Sequence, residues 1–345
     1  MGVDRILIQL SHPAHVHFYK NFIRECRERN VSIKIVVRDK DIAVDLLEYY
    51  EIPHEVIFEH PDESPIGLTE QLRYEWRTYE IVRAFNPDII TSVGGTAAAH
   101  VSTVTDAESI IFTDSEAATI GNMVTMPFAD TVYTPEGYDA DHGENHVRYP
   151  GYHELAYLHP ENYESNPDRL LDFGVDPSDK YAVVRFIGWG AVHDIGERGL
   201  GQDDKRELIS MLDEYATVYI TSESALPSDF DDYRLPVPPH LLHDLLDHAA
   251  LYIGDSQTMA TEAAVLGTPA IRSNSFAGAG DMTNFLELEE EYRLMYSTPD
   301  PQVAIEKAET WIQAPNLESA WEERREQLLE DKIDVNEFIT KMLLE

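Results

Sequence analysis

The feature that most restricts this fold is a strict alternation of short apolar runs with helix-period segments. Arg5–Leu10 (RILIQL) reads as a buried strand, followed by the loop Ser11–His15 and a helix from about Val16 to Arg29. Ser32–Val37 and Glu55–Phe58 are further strands, separated by a helix near Asp41–Tyr50. The segment 67–85 is helical, with Leu68, Leu72, Trp76 and Tyr79 at 3–4 spacing. Strand Ile89–Val93 closes on Gly94-Gly95, and Ser109–Phe112 and Thr131–Thr134 complete the series, with helices at Thr96–Val104 and near Ala117–Thr125 between them. The stretch from Pro150 to Asp168 has neither period and marks a boundary. A second series follows: strand Tyr181–Ile187, loop Gly188–Gly201, helix Asp203–Tyr215, strand Thr217–Thr221, helix His240–His248, strand Leu251–Gly254, helix Gln257–Leu266, the short strand Pro269–Arg272, then helices to the end. Strand–helix alternation with short connections predicts α/β architecture: two Rossmann-like domains, 1–160 and 161–316, each a parallel sheet with helices on both faces.

Length agrees, because 345 residues exceed the ~250–300 at which one core stops growing. Charge is the loudest compositional signal. Lys+Arg 26 against Asp+Glu 64 gives −38, spread along the whole chain. Such acidity on an ordinary core points to a halophilic, salt-adapted cytoplasm, where a Debye length of about 3 Å screens the self-repulsion. The absence of a basic face argues against nucleic acid as a partner. No apolar run reaches the ~18–20 residues of a membrane span, and the N-terminus lacks leader features. The expectation is a cytoplasmic protein that is not integral to the membrane. Cys26 is the single cysteine, which excludes an internal disulfide framework and a cysteine-based zinc cluster.

The most informative segment runs from Leu251 to Ile271. A strand ends at Gly254, Asp255 or Ser256 caps a helix, and Gly267, Thr268 and Pro269 return the chain to the sheet. The open N–H groups of that first turn and the helix dipole favour a diphosphate. Ser256 and Thr258 add hydroxyls, and Glu262, one turn on, is placed to accept from ribose hydroxyls. The small-residue face Ala260, Ala263, Ala264 lets the helix lie close to the sheet. A capped crossover with no ligand is the bland alternative.

The segment Glu262-Ala263-Ala264-x-x-Gly267-x-Pro269, preceded by a strand and Asp255-Ser256, resembles the donor site of GT-B glycosyltransferases and the related UDP-sugar 2-epimerases. Within that superfamily the chain resembles the uncharacterised DUF354-type proteins over essentially its whole length. The resemblance implies a GT-B fold: two Rossmann-like domains facing across a cleft, an N-terminal acceptor domain, a C-terminal donor domain, and helices of 317–345 packing back on domain one. It implies that Glu262 binds ribose, that Ser256, Gln257, Thr258 and Met259 hold the diphosphate, and that Val237–Leu242 frames the base. The substrate would be a UDP-sugar, with no cofactor or metal. The acceptor would be a hydroxyl compound, lipid-linked or glycan, in surface polysaccharide or glycolipid synthesis at the inner face of the membrane.

The first loop, Ser11-His12-Pro13-Ala14-His15-Val16-His17, is similar in its His15-Val16 pair to that of lipid-linked N-acetylglucosaminyltransferases, without their glycines. A His15 imidazole suits a general base toward an acceptor hydroxyl; capping and metal binding are the alternatives. Asp114 and Glu116 follow a strand and offer further acid/base carboxylates. Gly95 starts a helix and is a second candidate backbone donor site. Gly188 and Trp189 offer a loop with a stacking ring, and Arg185 and Arg272 are candidate phosphate counter-charges. The epimerases carry an aspartate where this chain has Gly94-Gly95-Thr96, which weights the reading toward a transferase. An epimerase and a non-catalytic nucleotide-sugar binder stay open as alternatives.

Overall fold

The computed structural model describes residues 2–40, 42–59, 67–187, 199–222, 226–278 and 280–345. The chain divides into two compact units, Met1–Asn162 with Lys332–Glu345, and Tyr163–Asp331.

The first unit is built on seven parallel strands: β1 Arg5–Leu10, β2 Ser32–Asp39, β3 Glu55–Glu59, β4 Ile89–Val93, β5 Glu108–Phe112, β6 Thr131–Pro135 and β7 His146–Tyr149. Their order is β3-β2-β1-β4-β5-β6-β7. Five consecutive residues of β1 are buried, as a parallel strand covered on both faces requires. Leu7, Val36, Ile90, Ile111 and Val132 share one core cluster with Ile81, Val82, Ala98 and Val101 of the covering helices. Strand order reverses between β1 and β4, so the chain leaves their carboxyl ends in opposite directions and opens a crevice there. Strand β7 is a departure from expectation. It is a short, largely polar edge strand, so it lacks the apolar run by which strands are recognised.

The first helix spans Pro13–Glu28, starting three residues earlier than expected, because Nδ1 of His12 accepts the N–H of Ala14 at 3.2 Å and Pro13 supplies the first-turn φ. His15 therefore sits in the first helical turn instead of the loop.

The second unit carries β8 Tyr181–Phe186, β9 Thr217–Ser222, β10 Leu251–Gly254, β11 Ala270–Ser273 and β12 Met295–Thr298, all parallel, in the order β12-β11-β10-β8-β9. This is a doubly wound order whose switch point lies between β8 and β10. Strand β12 replaces part of the expected helical tail; its mixed sequence MYST hides it.

The two late helices divide between the units. Leu317–Asp331 stays with the second, through Trp321 Nε1 to the carbonyl of Leu294 at 2.9 Å and Arg325 Nε to that of Val265 at 3.1 Å. Val335–Leu344 belongs to the first: Ile333 N–H bonds Pro150 O at 2.9 Å, and Phe338 packs on Tyr149 and Tyr133. The return to unit one thus begins at Lys332, not at 317. Gly151 permits it, since a Cβ there would lie 2.7 Å from Val335 Cγ2. No helix among the described residues is long and apolar enough to cross a membrane.

Candidate functional site

In the second unit, β10 comes so close to β8 that a side chain at Gly254 would strike the carbonyl of Arg185. Beyond it, buried Asp255 is fixed from both sides. Its Oδ1 accepts the N–H of Ile187 at 2.7 Å, and its carbonyl accepts from Asn274 Nδ2 at 3.1 Å. The backbone is thereby pinned at the switch point just before the helix Gln257–Leu266. Ser256 is the cap, its Oγ accepting the N–H of Met259 at 3.3 Å. That bond occupies the Met259 amide, one of the four expected to meet a diphosphate. The amides of Gln257 and Thr258, both half-buried residues, lie too early in the helix for an intrahelical carbonyl.

Glu262 lies on the same helix, with Oε1 3.1 Å from Nε2 of His243, and both side chains are 5 % exposed. The carboxylate only accepts, so Nε2 of His243 is the donor of this bond. His243 was not legible as a site residue: it follows the Pro238–Leu242 segment in sequence, and only the packing of helix Leu242–Asp247 on helix Gln257–Leu266 brings it to Glu262.

Arg185 and Arg272 are both engaged inside the unit. Arg185 Nη1 donates to Thr221 Oγ1 at 2.8 Å. Arg272 is fully buried, paired with Asp281, bonded to Ser297 Oγ at 3.3 Å and stacked 3.9 Å over the Phe285 ring. Asp281 already supplies the opposite charge, which weakens the case for Arg272 as a phosphate counter-charge, while Arg272 Nη1 is buried with no partner among the described residues. Gly188 and Trp189 lie outside the described residues.

In the first unit the crevice at the ends of β1 and β4 gathers Ser11, His12 and His15. Asp114, just beyond β5, contributes through His153. Nδ1 of His15 is 3.4 Å from both the N–H and the Oγ of Ser11. The backbone N–H can only donate, so Nδ1 is the acceptor and neutral His15 carries its proton on Nε2. Burial holds the His15 pKa well below the ordinary imidazole range, with the charges of His12, His153 and Lys40 adding to it. The ring is neutral at pH 7.

His153, like His243, was not legible in the sequence as a site residue. It falls in the aperiodic boundary stretch, which the fold turns into a clamped loop: Asn21 Nδ2 holds Ala156 O at 3.0 Å, and Phe18 packs on the His153 ring at 4.7 Å. Nδ1 of His153 lies 3.4 Å from Asp114 Oδ2, which favours the tautomer protonated at Nδ1. Its Nε2 is then a lone pair, buried and without a partner among the described residues. Burial lowers its pKa, and the charge of Asp114 opposes that shift.

Glu116 accepts the N–H of Asp139 at 2.6 Å. Gly95 has a packing explanation, since a side chain there would overlap Ser92. The helix start beside it already has an internal partner: Gln9 Oε1 accepts the Ala98 N–H at 3.1 Å. This occupies one of the amides expected for a ligand at Gly95.

With both crevices in place, comparison with known proteins adds the family. The model of a protein family of unknown function, DUF354, matches residues 4–335. The chain belongs to the DUF354 family. An uncharacterized protein of Methanocaldococcus jannaschii is 21% identical to this DUF354 protein over 286 residues, covering 77% of this chain and 80% of that one. Three solved structures similar to it share the fold at low identity. The S. aureus MnaA–UDP structure has a TM-score of 0.65 at 11% identity, covering 99% of this chain and 98% of that one. The UDP-GlcNAc 2-epimerase from Methanocaldococcus jannaschii gives 0.64 at 15%, covering 98% and 99%. The spinosyn forosaminyltransferase SpnP gives 0.61 at 13%, covering 99% and 100%. The DUF354 chain therefore has the GT-B-like fold shared by epimerases and glycosyltransferases.

Proposed function

We propose that this DUF354 protein is a glycosyltransferase that moves a sugar from a UDP-sugar to a hydroxyl acceptor. The observation that carries this reading is the start of helix Gln257–Leu266: two first-turn amides, of Gln257 and Thr258, with no intrahelical carbonyl to bond, at a strand-order switch point, with a buried carboxylate one turn on. A helix start of this kind binds a diphosphate through N–H donors and its dipole, and a carboxylate such as Glu262 is the acceptor that ribose hydroxyls call for. The UDP seen with MnaA, on the same fold, supports the choice of nucleotide.

The first unit carries a candidate acid/base pair of its own, Asp114 and His153. The acceptor oxygen attacks the anomeric carbon, the carbon–oxygen bond to phosphate breaks, and UDP leaves with the electron pair. The acceptor proton passes to His153 Nε2, with Asp114 beside Nδ1 to stabilise the imidazolium. His15, protonated on Nε2, serves as a hydrogen-bond donor to a substrate oxygen. This assignment moves the base from His15 to His153, on the tautomers set by Ser11 and Asp114. A lipid-linked acceptor is supported by the apolar surface of helix Thr119–Thr125 and the turn after it, where Ile120, Met123 and Phe128 are exposed.

One observation favours a second reading, a UDP-sugar 2-epimerase: the Asp114–His153 pair would also serve proton transfer at a sugar carbon. Against it, β4 ends in Gly94-Gly95-Thr96 with no carboxylate. Incubation with UDP-GlcNAc in molar salt separates the cases. Acceptor-dependent release of UDP is the expected result. Release without acceptor indicates a hydrolysing epimerase, an isomerised UDP-sugar a non-hydrolysing one, and binding without turnover a carrier. Absence of both binding and turnover contradicts every version.

A further inference from the structure

The second unit has an open pocket of about 590 Å³ at the end of its sheet where β12 begins, whereas helix Gln257–Leu266 starts at the opposite, carboxyl end of the strands. Its walls come from three elements: Tyr296 of β12, Lys307 and Trp311 of helix Pro301–Ile312, and Trp321 and Arg324 of helix Leu317–Asp331, with Arg293 just before the strand. We propose that this pocket binds an acidic sugar, a pyranose ring carrying a carboxylate.

The chain has 64 acidic and 26 basic residues, so most cations have a carboxylate within easy reach. Arg293, Lys307 and Arg324 nevertheless converge on one pocket, and none of them forms an ion pair with a carboxylate among the described residues. Lys307 and Arg324 are held by rings and backbone. Lys307 Nζ lies 4.7 Å over Tyr296 and 5.2 Å over Trp311. Arg324 lies 4.1 Å over Trp321 and donates to the carbonyl of Arg293 at 2.7 Å. Such contacts orient a cation without neutralising it. The result is an island of positive charge on a surface that otherwise repels anions.

Trp311 and Trp321 meet edge to face at 4.7 Å, which fixes both indoles. Trp311 and Tyr296, both half-buried, offer carbon surface against which the C–H face of a pyranose can lie. Glu289 also lines the pocket, and its Oε2 accepts the N–H of Ser297 at 3.1 Å. A carboxylate among three cations repels a diphosphate but accepts hydrogen bonds from sugar hydroxyls. A ligand with one carboxylate, several hydroxyls and a flat apolar face suits the cations, Glu289 and the rings together.

The test is a tryptophan-fluorescence titration with D-glucuronate, its methyl ester, D-glucose and inorganic phosphate at one fixed salt concentration. The expected result is a saturable change with glucuronate, at least tenfold weaker for the ester, glucose and phosphate, and unaltered by saturating UDP. Lys307→Gln should weaken glucuronate at least tenfold without moving Tm. If that variant fails to fold, the exposed Arg293→Gln replaces it with the same expectation. Equal binding of glucuronate and its ester, preference for phosphate, competition by UDP, or wild-type affinity in a folded variant would each overturn the proposal.

Discussion

His243 Nε2 and Glu262 Oε1 are 3.1 Å apart, with both side chains 5 % exposed. This pair joins the helix that follows the Pro238-Pro239 turn to the helix whose start forms the candidate diphosphate site. Glu262 therefore has two tasks, and its replacement should show both. Glu262→Ala strands a buried imidazole donor and should cost about 1–3 kcal/mol of stability. Glu262→Gln keeps the shape and an acceptor oxygen, and should cost less than half of that. The check is chemical denaturation of both variants. Equal and negligible losses would show that the pair does not stabilise the fold.

The acid/base group makes a separate prediction. His153→Gln should lower turnover by about 10²–10⁴-fold, the usual contribution of a general base, while UDP affinity is unchanged. His15→Gln, which retains a side-chain donor, should lose much less than His15→Ala. The measurement is kcat and KM for acceptor-dependent UDP release. A His153→Gln variant with wild-type turnover removes the base from this position.

The depressed pKa values give a direction to pH dependence. Burial lowers both His15 and His153 below the ordinary 6.5. The unfolded chain therefore takes up protons first as pH falls, and stability is lost below about pH 6.5. His153 contributes at most about 1.4 kcal/mol per pH unit in that window. Denaturation at pH 7.5 and 5.5 in constant molar salt should show the loss, and His153→Gln should reduce the slope. An identical slope in the variant would contradict the buried neutral state. The base must also be neutral to work, so the acid limb of kcat/KM should lie below pH 6.5.

Acidity predicts a salt requirement. Carboxylates crowd along single turns, as in Glu287–Glu291 (ELEEE) and Ser228–Tyr233 (SDFDDY), where no cation is interleaved. Molar salt should raise Tm well above its value in dilute buffer by screening this repulsion. A flat Tm across that range would contradict halophilic adaptation.

The legible parts of the sequence were those whose cause is local. RILIQL and YAVVRF are apolar enough to demand burial on both faces, and Ser256 and Gly267 bracket their helix by capping chemistry alone. Strands β7 and β12 lie at sheet edges, where one neighbour and one covering layer suffice and the apolar run is absent. The helix start at Pro13 depends on a histidine cap, an unusual substitute for Ser or Asp. His153 and His243 acquire partners only through tertiary packing, across 39 residues to Asp114 and 19 to Glu262, so no spacing rule announces them. Arg272 looked available because arginines are scarce in this chain; its partner Asp281 sits nine residues on, in an irregular loop.

The central claim is that helix Gln257–Leu266 holds a nucleoside diphosphate, and calorimetric titration of UDP in molar salt tests it most directly. One UDP should bind per chain, with Glu262→Gln weakening it by about 1 kcal/mol, roughly fivefold, because a neutral acceptor replaces the charged one toward ribose. No heat of binding under folded conditions, or an affinity that Glu262→Gln leaves unchanged, would contradict it.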